Sequence, residues 1–167
     1  MVRSAKTSEL PTLRSVERAA GESFRELGMD AVADDDPPSP PELRRFVDAG
    51  HAWVVDRHEQ VAAYLLARVL DGCAHIEQVS VHPHHAHQRL GAALVEHLAD
   101  RARRCGLPAL TLTTFRHVDW NGPYYLRCGF RWLSDSEITP GLRDLRAHEA
   151  ARGLDRWHRG CMRRDLT

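Results

Sequence analysis

The sequence predicts a mixed α/β fold, and three patterns predict it: two stretches of helical apolar spacing, three strand-like runs packed between them, and strands alternating with helices to the end of the chain. A length of 167 residues suits a single domain over residues 1–167. Hydrophobic residues at 43% and charged residues at 28% are ordinary for a globular domain and argue against disorder or a disulfide miniprotein.

The elements follow in order. Leu10, Leu13, Val16, Ala19, Ala20, Phe24 and Leu27 recur at helical spacing after the capping run Thr7-Ser8-Glu9, and Gly28 supplies the stop. Ala33 to Pro41 mixes three aspartates with four prolines and is expected as a loop, followed by a short helix over Glu42 to Asp48. His51 to Asp56 and Val61 to Leu70 read as a hairpin, and Cys73 to Val81 as a third strand ending before His82-Pro83. Leu90, Leu94, Val95, Leu98, Ala102 and Cys105 restore the helical period up to Gly106. Ala109 to Phe115 is β-branched and alternating; Tyr124 to Arg127, Phe130 to Leu133, Leu142 to Ala151 and Trp157 to Arg164 complete the order as helix, strand, helix, strand.

Charge and composition narrow the function. Lys+Arg and Asp+Glu are 23 each, so no global field draws the chain to nucleic acid or to an anionic membrane surface. The longest apolar run, Val61 to Ala67, is far shorter than a membrane span, and the N-terminus lacks the apolar core of a signal peptide, so the expectation is cytoplasmic. Cys73, Cys105, Cys128 and Cys161 are widely spaced and are expected as four free thiols. His82, His84, His85 and His87 form a tract that invites a metal reading, but no cysteine or carboxylate joins it nearby, and no metal is expected.

The segment from Val81 to Leu94 carries the first functional signal. A strand there ends in a tight loop and enters a helix with Gly91, Ala92 and Ala93 in its first turn. Such a helix start presents free backbone N–H groups and a positive dipole end, which suits a pyrophosphate; a glycine kept for packing alone is the other reading.

Val81-x-Pro83 followed by Gln88-Arg89-Leu90-Gly91-Ala92-Ala93-Leu94 resembles the acyl-CoA motif of the GNAT superfamily of N-acetyltransferases, and Asn121, Tyr125 and Gly129-Phe130 resemble a later motif of that family. The resemblance covers nearly the whole chain. It implies a GNAT-like fold with a central mixed, mostly antiparallel sheet of about seven strands flanked by helices, and acetyl-CoA as co-substrate. It also implies donor contacts at Val79, Ser80, Val81, His87, Gln88, Arg89, Leu90, Gly91, Ala92 and Asn121. Two departures stand out: Arg89 occupies a position where the family usually has Gly, acceptable if the backbone needs no positive φ there, and Asn121 lies four residues before Tyr125 rather than nearer seven.

Direct transfer from a thioester to an amine needs a base, a polarised carbonyl and a proton for the thiolate. Glu77 is the first choice of base, with Val79 and Val81 expected on its strand face by alternation; His75 shares that side as the second choice. The resemblance gives the proton-donor role to Tyr125, with Tyr124 adjacent. Asp34, Asp35 and Asp36 either border the acceptor site and suit a cationic amine or form a solvated loop. Thr111, Thr113, Thr114, Arg116, His117, Asp119 and Trp120 flank a strand exit facing the expected acceptor channel, and Ser134 to Arg156 is long enough to cap that site or to form a dimer contact. The expected function is acetyl-CoA-dependent acetylation of a primary amine on a small molecule, with a protein or peptide acceptor, or a non-catalytic acyl-CoA-binding module, as alternatives. A homodimer is common among similar proteins.

Overall fold

The computed structural model describes all 167 residues. The chain opens on strand β1 (Val2–Ser4), then helix α1 (Leu10–Gly21), the single turn α2 (Asp30–Ala33) and helix α3 (Pro40–Asp48). Strands β2 (Ala52–Arg57), β3 (Gln60–Leu70) and β4 (Cys73–Val81) follow, then α4 (Leu90–Arg104), β5 (Ala109–Phe115) and α5 (Gly122–Arg127). The chain closes with β6 (Arg131–Trp132), α6 (Pro140–Ala151) and β7 (Arg159–Asp165). The seven strands are ordered β1-β2-β3-β4-β5-β7-β6 in one sheet, with β4 parallel to β5 and antiparallel pairing of β1 with β2, β2 with β3, and β7 with β5 and β6. The expected mixed, mostly antiparallel sheet is therefore present. Its first strand is the element that the hydrophobic pattern does not announce, because three residues cannot display a period.

Two compact units divide the chain, residues 1–68 with 77–97 and residues 69–76 with 98–167. In the first, Leu10, Leu13 and Val16 of α1 and Leu43 of α3 pack on Ala52, Val54, Tyr64 and Leu66 of β2 and β3. Residues of the opposite parity face the other way: the Trp53 ring lies 5.7 Å from His97 of α4. Both faces of this hairpin are thus covered, which is why β3 reads as a continuous apolar run rather than an alternating one.

Local chemistry sets the helix boundaries. Regular α-helix stops at Gly21, and a 3-10 segment carries on to Leu27 before Gly28 turns the backbone left-handed, so the single helix expected up to Leu27 is two pieces. The proline-rich loop ends at Ser39. Its hydroxyl accepts from the Glu42 N–H, the Glu42 carboxylate returns to the Ser39 N–H, and Pro40 and Pro41 occupy first-turn positions that need no donor. The helix therefore starts two residues before its first expected position.

Tyr64 is fully buried, yet its hydroxyl is satisfied: it donates to Glu17 Oε1 at 2.7 Å and is hydrogen-bonded to Ser80, which accepts from Gln78 at 2.8 Å. Burial raises the Glu17 carboxyl above the usual range, against the smaller effect of the Tyr64 hydrogen bond.

In the second unit, β5 and β7 pair through seven consecutive residues from Ala109 with Asp165 to Phe115 with Arg159. Leu133, Leu142 and Cys161 form its core with Leu70, Ile138 and Leu145. The stretch from Ser134 to Arg156 is α6 and its flanking turns, pinned to the sheet. Asp71 accepts from the Gly141 N–H at 2.9 Å at the helix start, and Glu149 accepts from Thr113 of β5 at 2.6 Å and from Arg159 of β7 at 3.2 Å. All four cysteines are free thiols, and no helix is long and apolar enough to cross a membrane.

A carboxyl raised by folding is protonated more readily in the native state, so its contribution is favourable below the unfolded value and is lost as pH rises through the folded one. Glu17→Gln is therefore expected to raise the thermal midpoint at pH 7, with the gain vanishing near pH 4. Thermal scans at the two pH values check this.

Candidate active site

The loop between β4 and α4 lies within the first unit. The His82 N–H donates to Ala62 O at 2.8 Å where β4 ends, and a 3-10 turn over Pro83–His85 is capped by the His82 ring, whose Nδ1 accepts from the His84 N–H at 3.1 Å. Burial, with His84 and His85 beside it, lowers the proton affinity of His82 and favours the neutral acceptor ring that this cap requires. No group of three or more His, Cys, Asp or Glu stands close enough to hold a metal ion.

Immediately before α4 the backbone turns left-handed twice, at His87 with φ +63° and Arg89 with φ +58°. The condition under which Arg89 would be a harmless replacement for glycine is therefore not met. A side chain in this region costs about 1–2 kcal/mol per residue, and such strain persists only where the surroundings over-determine it. Leu90, which opens α4, is buried, as are Gly91 and Leu94, while His87, Gln88 and Arg89 are exposed. The helix is held by its apolar side, and the loop before it faces solvent.

On β4, Glu77 is half-buried and its Oε1 is paired with the Arg68 guanidinium of β3, leaving Oε2 without a protein partner. Arg68 has the parity of Tyr64 and Leu66 on β3, and Ser80 and Gln78 meet that same Tyr64 face. A regular strand cannot present Glu77, Gln78 and Ser80 to one face, so β4 departs from strict alternation here. The expectation that alternation sets Glu77 on one face with Val79 and Val81 is corrected accordingly. Ser80 is buried and its hydroxyl is committed to Tyr64, so only its backbone is left for a ligand. His75, the second choice of base, is 2% exposed, and its Nδ1 lies 2.8 Å from Thr111 Oγ1. Its burial removes it as a base for an external amine.

The second unit places Asn121 and Tyr125 on one turn. Asn121 is the N-cap of α5 through its backbone: its carbonyl accepts from the Tyr125 N–H at 3.0 Å, while its side chain makes no capping bond. Tyr125 is buried edge-on between Tyr124 and Phe130, with ring centroids 5.5 and 5.7 Å away. Burial raises this phenol well above its ordinary value. Tyr124 is more exposed and lies against Arg127, so burial separates the two neighbours as spacing to Phe130 does.

On the acidic loop, Asp34 pairs with Arg25 at 2.5 Å and Asp36 with Arg18 at 3.5 Å. Thr111 and Thr114 are buried, and Thr113 is bonded to Glu149, so the threonines at the β5 exit are structural. Trp120 is 40% exposed.

Comparison with known proteins decides the family, since residues 13–130 match the acetyltransferase (GNAT) family. The chain belongs to the GNAT acetyltransferase family. Among solved structures, the paia N-acetyltransferase from Thermoplasma acidophilum in complex with coenzyme A has a TM-score of 0.73 at 14% identity, covering 99% of this GNAT chain and 98% of that one. N-acetylglutamate synthase from Neisseria gonorrhoeae, complexed with coenzyme A and N-acetyl-glutamate, has a TM-score of 0.74 at 18% identity. That match covers 100% of this chain and 35% of the synthase, so the GNAT chain spans about a third of that protein's length. The ribosomal-protein-S18-alanine N-acetyltransferase from Escherichia coli has a TM-score of 0.67 at 19% identity, with coverages of 100% and 94%. At these identities the likeness is one of fold.

Sequence reasoning missed Arg68, the partner of Glu77. Its signal was present: it is the one charge in the apolar run from Val61 to Leu70. Arg89→Gly is expected to relieve the left-handed strain and stabilise the fold by about 0.5–1 kcal/mol, which urea denaturation checks.

Proposed function

We propose that this GNAT protein is an N-acetyltransferase that moves the acetyl group of acetyl-CoA directly onto a primary amine of a small molecule, within a ternary complex. The observation that carries the reading is the loop from His87 to Ala92, where two strained left-handed residues lead into a fifteen-residue helix. Successive backbone N–H groups in such a turn, added to the helix dipole, make an anion cradle, and a pyrophosphate is the anion that coenzyme A supplies.

In this reading the His87–Ala92 amides hold the pyrophosphate, and the backbone at Val79 and Val81 polarises the thioester carbonyl. Glu77, steadied through Oε1 by Arg68, takes a proton from the acceptor ammonium at Oε2, directly or through one water. The amine lone pair attacks the carbonyl carbon, a C–N bond forms and the C–S bond breaks. Tyr125 hydrogen-bonds the departing thiolate and supplies its proton, and the second ammonium proton, released as the new nitrogen becomes an amide, restores the phenol directly or through one water. Its raised phenol stays protonated throughout the working range, so the donor is present at every relevant pH. Cys161, buried with its thiol pushed up to about 11, is no nucleophile, in keeping with direct transfer. The free, scattered thiols suit a reducing cytoplasm.

A small acceptor is supported by the N-acetyl-glutamate in the synthase structure, an acetylated small amine on the same fold. The ribosomal-protein enzyme keeps a protein acceptor in view as the second reading.

Calorimetric titration with acetyl-CoA is the first test: micromolar binding is expected, and no binding at millimolar ligand would remove the reading. Against a panel of amines and peptides read by CoA release, Glu77→Gln is expected to lower kcat about 10²- to 10⁴-fold with the acetyl-CoA Kd unchanged. Full retention of the rate would favour another base, and ligand binding without turnover on any amine would favour a sensor.

A second prediction follows from the state of Tyr125. Tyr125→Phe is expected to lower kcat about 10- to 100-fold while leaving the shape of the alkaline limb of the pH–rate profile unaltered, because the phenol does not titrate there. Disappearance of that limb in the variant would show that Tyr125 ionises in the working enzyme.

A further inference from the structure

Arg116 stands immediately after β5, and its guanidinium lies over the Trp132 ring of β6, with Cζ 4.2 Å from the ring centroid. Two glycines make room for this stack. A Cβ at Gly160 of β7 would meet Arg116 Nη2 at 2.6 Å, and one at Gly122, the first residue of α5, would meet the Trp132 ring at 2.6 Å. The stack is therefore built against the first turn of the helix that carries Tyr125.

This guanidinium lacks a counter-charge. Its side chain makes no salt bridge and no hydrogen bond, and Nε is the one buried side-chain nitrogen or oxygen in the protein without a partner. The other inward-lying arginines are paired: Arg3 with Glu9 and Asp56, Arg68 with Glu77, and Arg146 and Arg159 with Glu149. Arginine cannot escape by losing its proton. Attraction to the indole face offsets only part of the cost of withdrawing Nε from water, because the ring supplies no hydrogen-bond acceptor. The Trp132 face fixes the plane of the group while leaving the charge unanswered.

We propose that Arg116 is a preformed anchor for an oxyanion of a bound ligand, a carboxylate or a phosphate received by the edge of the guanidinium fork. Two ligands of an acetyl-transfer reaction carry such a group: an amine acceptor bearing a carboxylate, and the phosphorylated acyl donor. Naming those ligands rests on the acetyltransferase reading, whereas anion binding at Arg116 does not. The test has two independent parts for that reason.

The first uses the intact protein without turnover. The Nε–Hε signal of Arg116, identified by its loss in Arg116→Lys, is followed by NMR during titration with glutarate and, separately, with inorganic phosphate. A saturable shift at millimolar anion, with the Arg103 signal unmoved, is expected. A signal that does not move, or that moves no more than that of Arg103, overturns the proposal whatever the activity of the protein.

The second compares Arg116→Lys and Arg116→Gln with wild type on amino acids and on the matching amines without the carboxylate, and on acetyl-CoA against its 3′-dephospho form. A KM raised about ten- to hundredfold only for carboxylate-bearing acceptors assigns the anion to the acceptor. A similar rise for acetyl-CoA that is absent for the dephospho donor assigns it to the donor. An equal, small effect on every ligand, accompanied by a fall in thermal midpoint, would leave Arg116 a packing residue and overturn the proposal.

Discussion

A polar group withdrawn from water costs free energy unless it finds a partner, and this constraint accounts for much of what positions the chemistry here. In the first unit, the Tyr64 hydroxyl at the bottom of an apolar core ties α1 to β3 through Glu17 and β3 to β4 through Ser80. In the second, Glu149 gathers Thr113, Arg146 and Arg159 and so fixes α6 on β5 and β7. Each network spends the side chains it uses. Ser80, His75 and Thr113 look like candidates for ligand contact and are instead occupied within the fold.

The same constraint gives β4 its shape. A regular strand offers every second residue to a face, but Glu77 must reach Arg68 while Gln78 and Ser80 close the Tyr64 network. The strand yields its alternation to satisfy all three. An irregular strand has backbone groups that a regular ladder would use, and the expected donor contacts at Val79 and Val81 fall on this stretch.

Long elements and their order were legible in the sequence because they repeat a pattern: the stripe of Leu10, Leu13 and Val16, the return of helical spacing at Leu90, the stop at Gly28. The donor loop was legible for a different reason, a strand-to-helix junction carrying Gly91. What was not legible lay below the length of a period or across distant residues. Three residues of β1 cannot alternate visibly, and the capping box at Ser39 hid a helix start inside a proline-rich run. The pairing of Arg68 with Glu77 and the burial of His75 against Thr111 depend on which strands lie side by side, which spacing along one strand does not encode. Arg116 was visible as a charge at a strand exit, but only the surrounding structure shows that nothing answers it.

Three residues singled out above carry local costs, His87 and Arg89 in one unit and Arg116 in the other, while His58, Glu59 and Asp71 hold the same left-handed backbone in the turns after β2 and β3. His87 and Arg89 hold left-handed backbone at about 1–2 kcal/mol apiece, and Arg116 keeps an unpaired, partly buried cation. Against a net folding stability of about 5–15 kcal/mol these are large departures from local consistency. Glycine would relieve the first two, as it does at Gly28, Gly50 and Gly72, where the same backbone conformation carries no side chain. A carboxylate would relieve the third, as Glu149 does for Arg159. In the readings proposed above, an anion from outside the chain would answer the Arg116 charge and accept from the amides that the left-handed turn directs outward, without removing the steric cost of that turn.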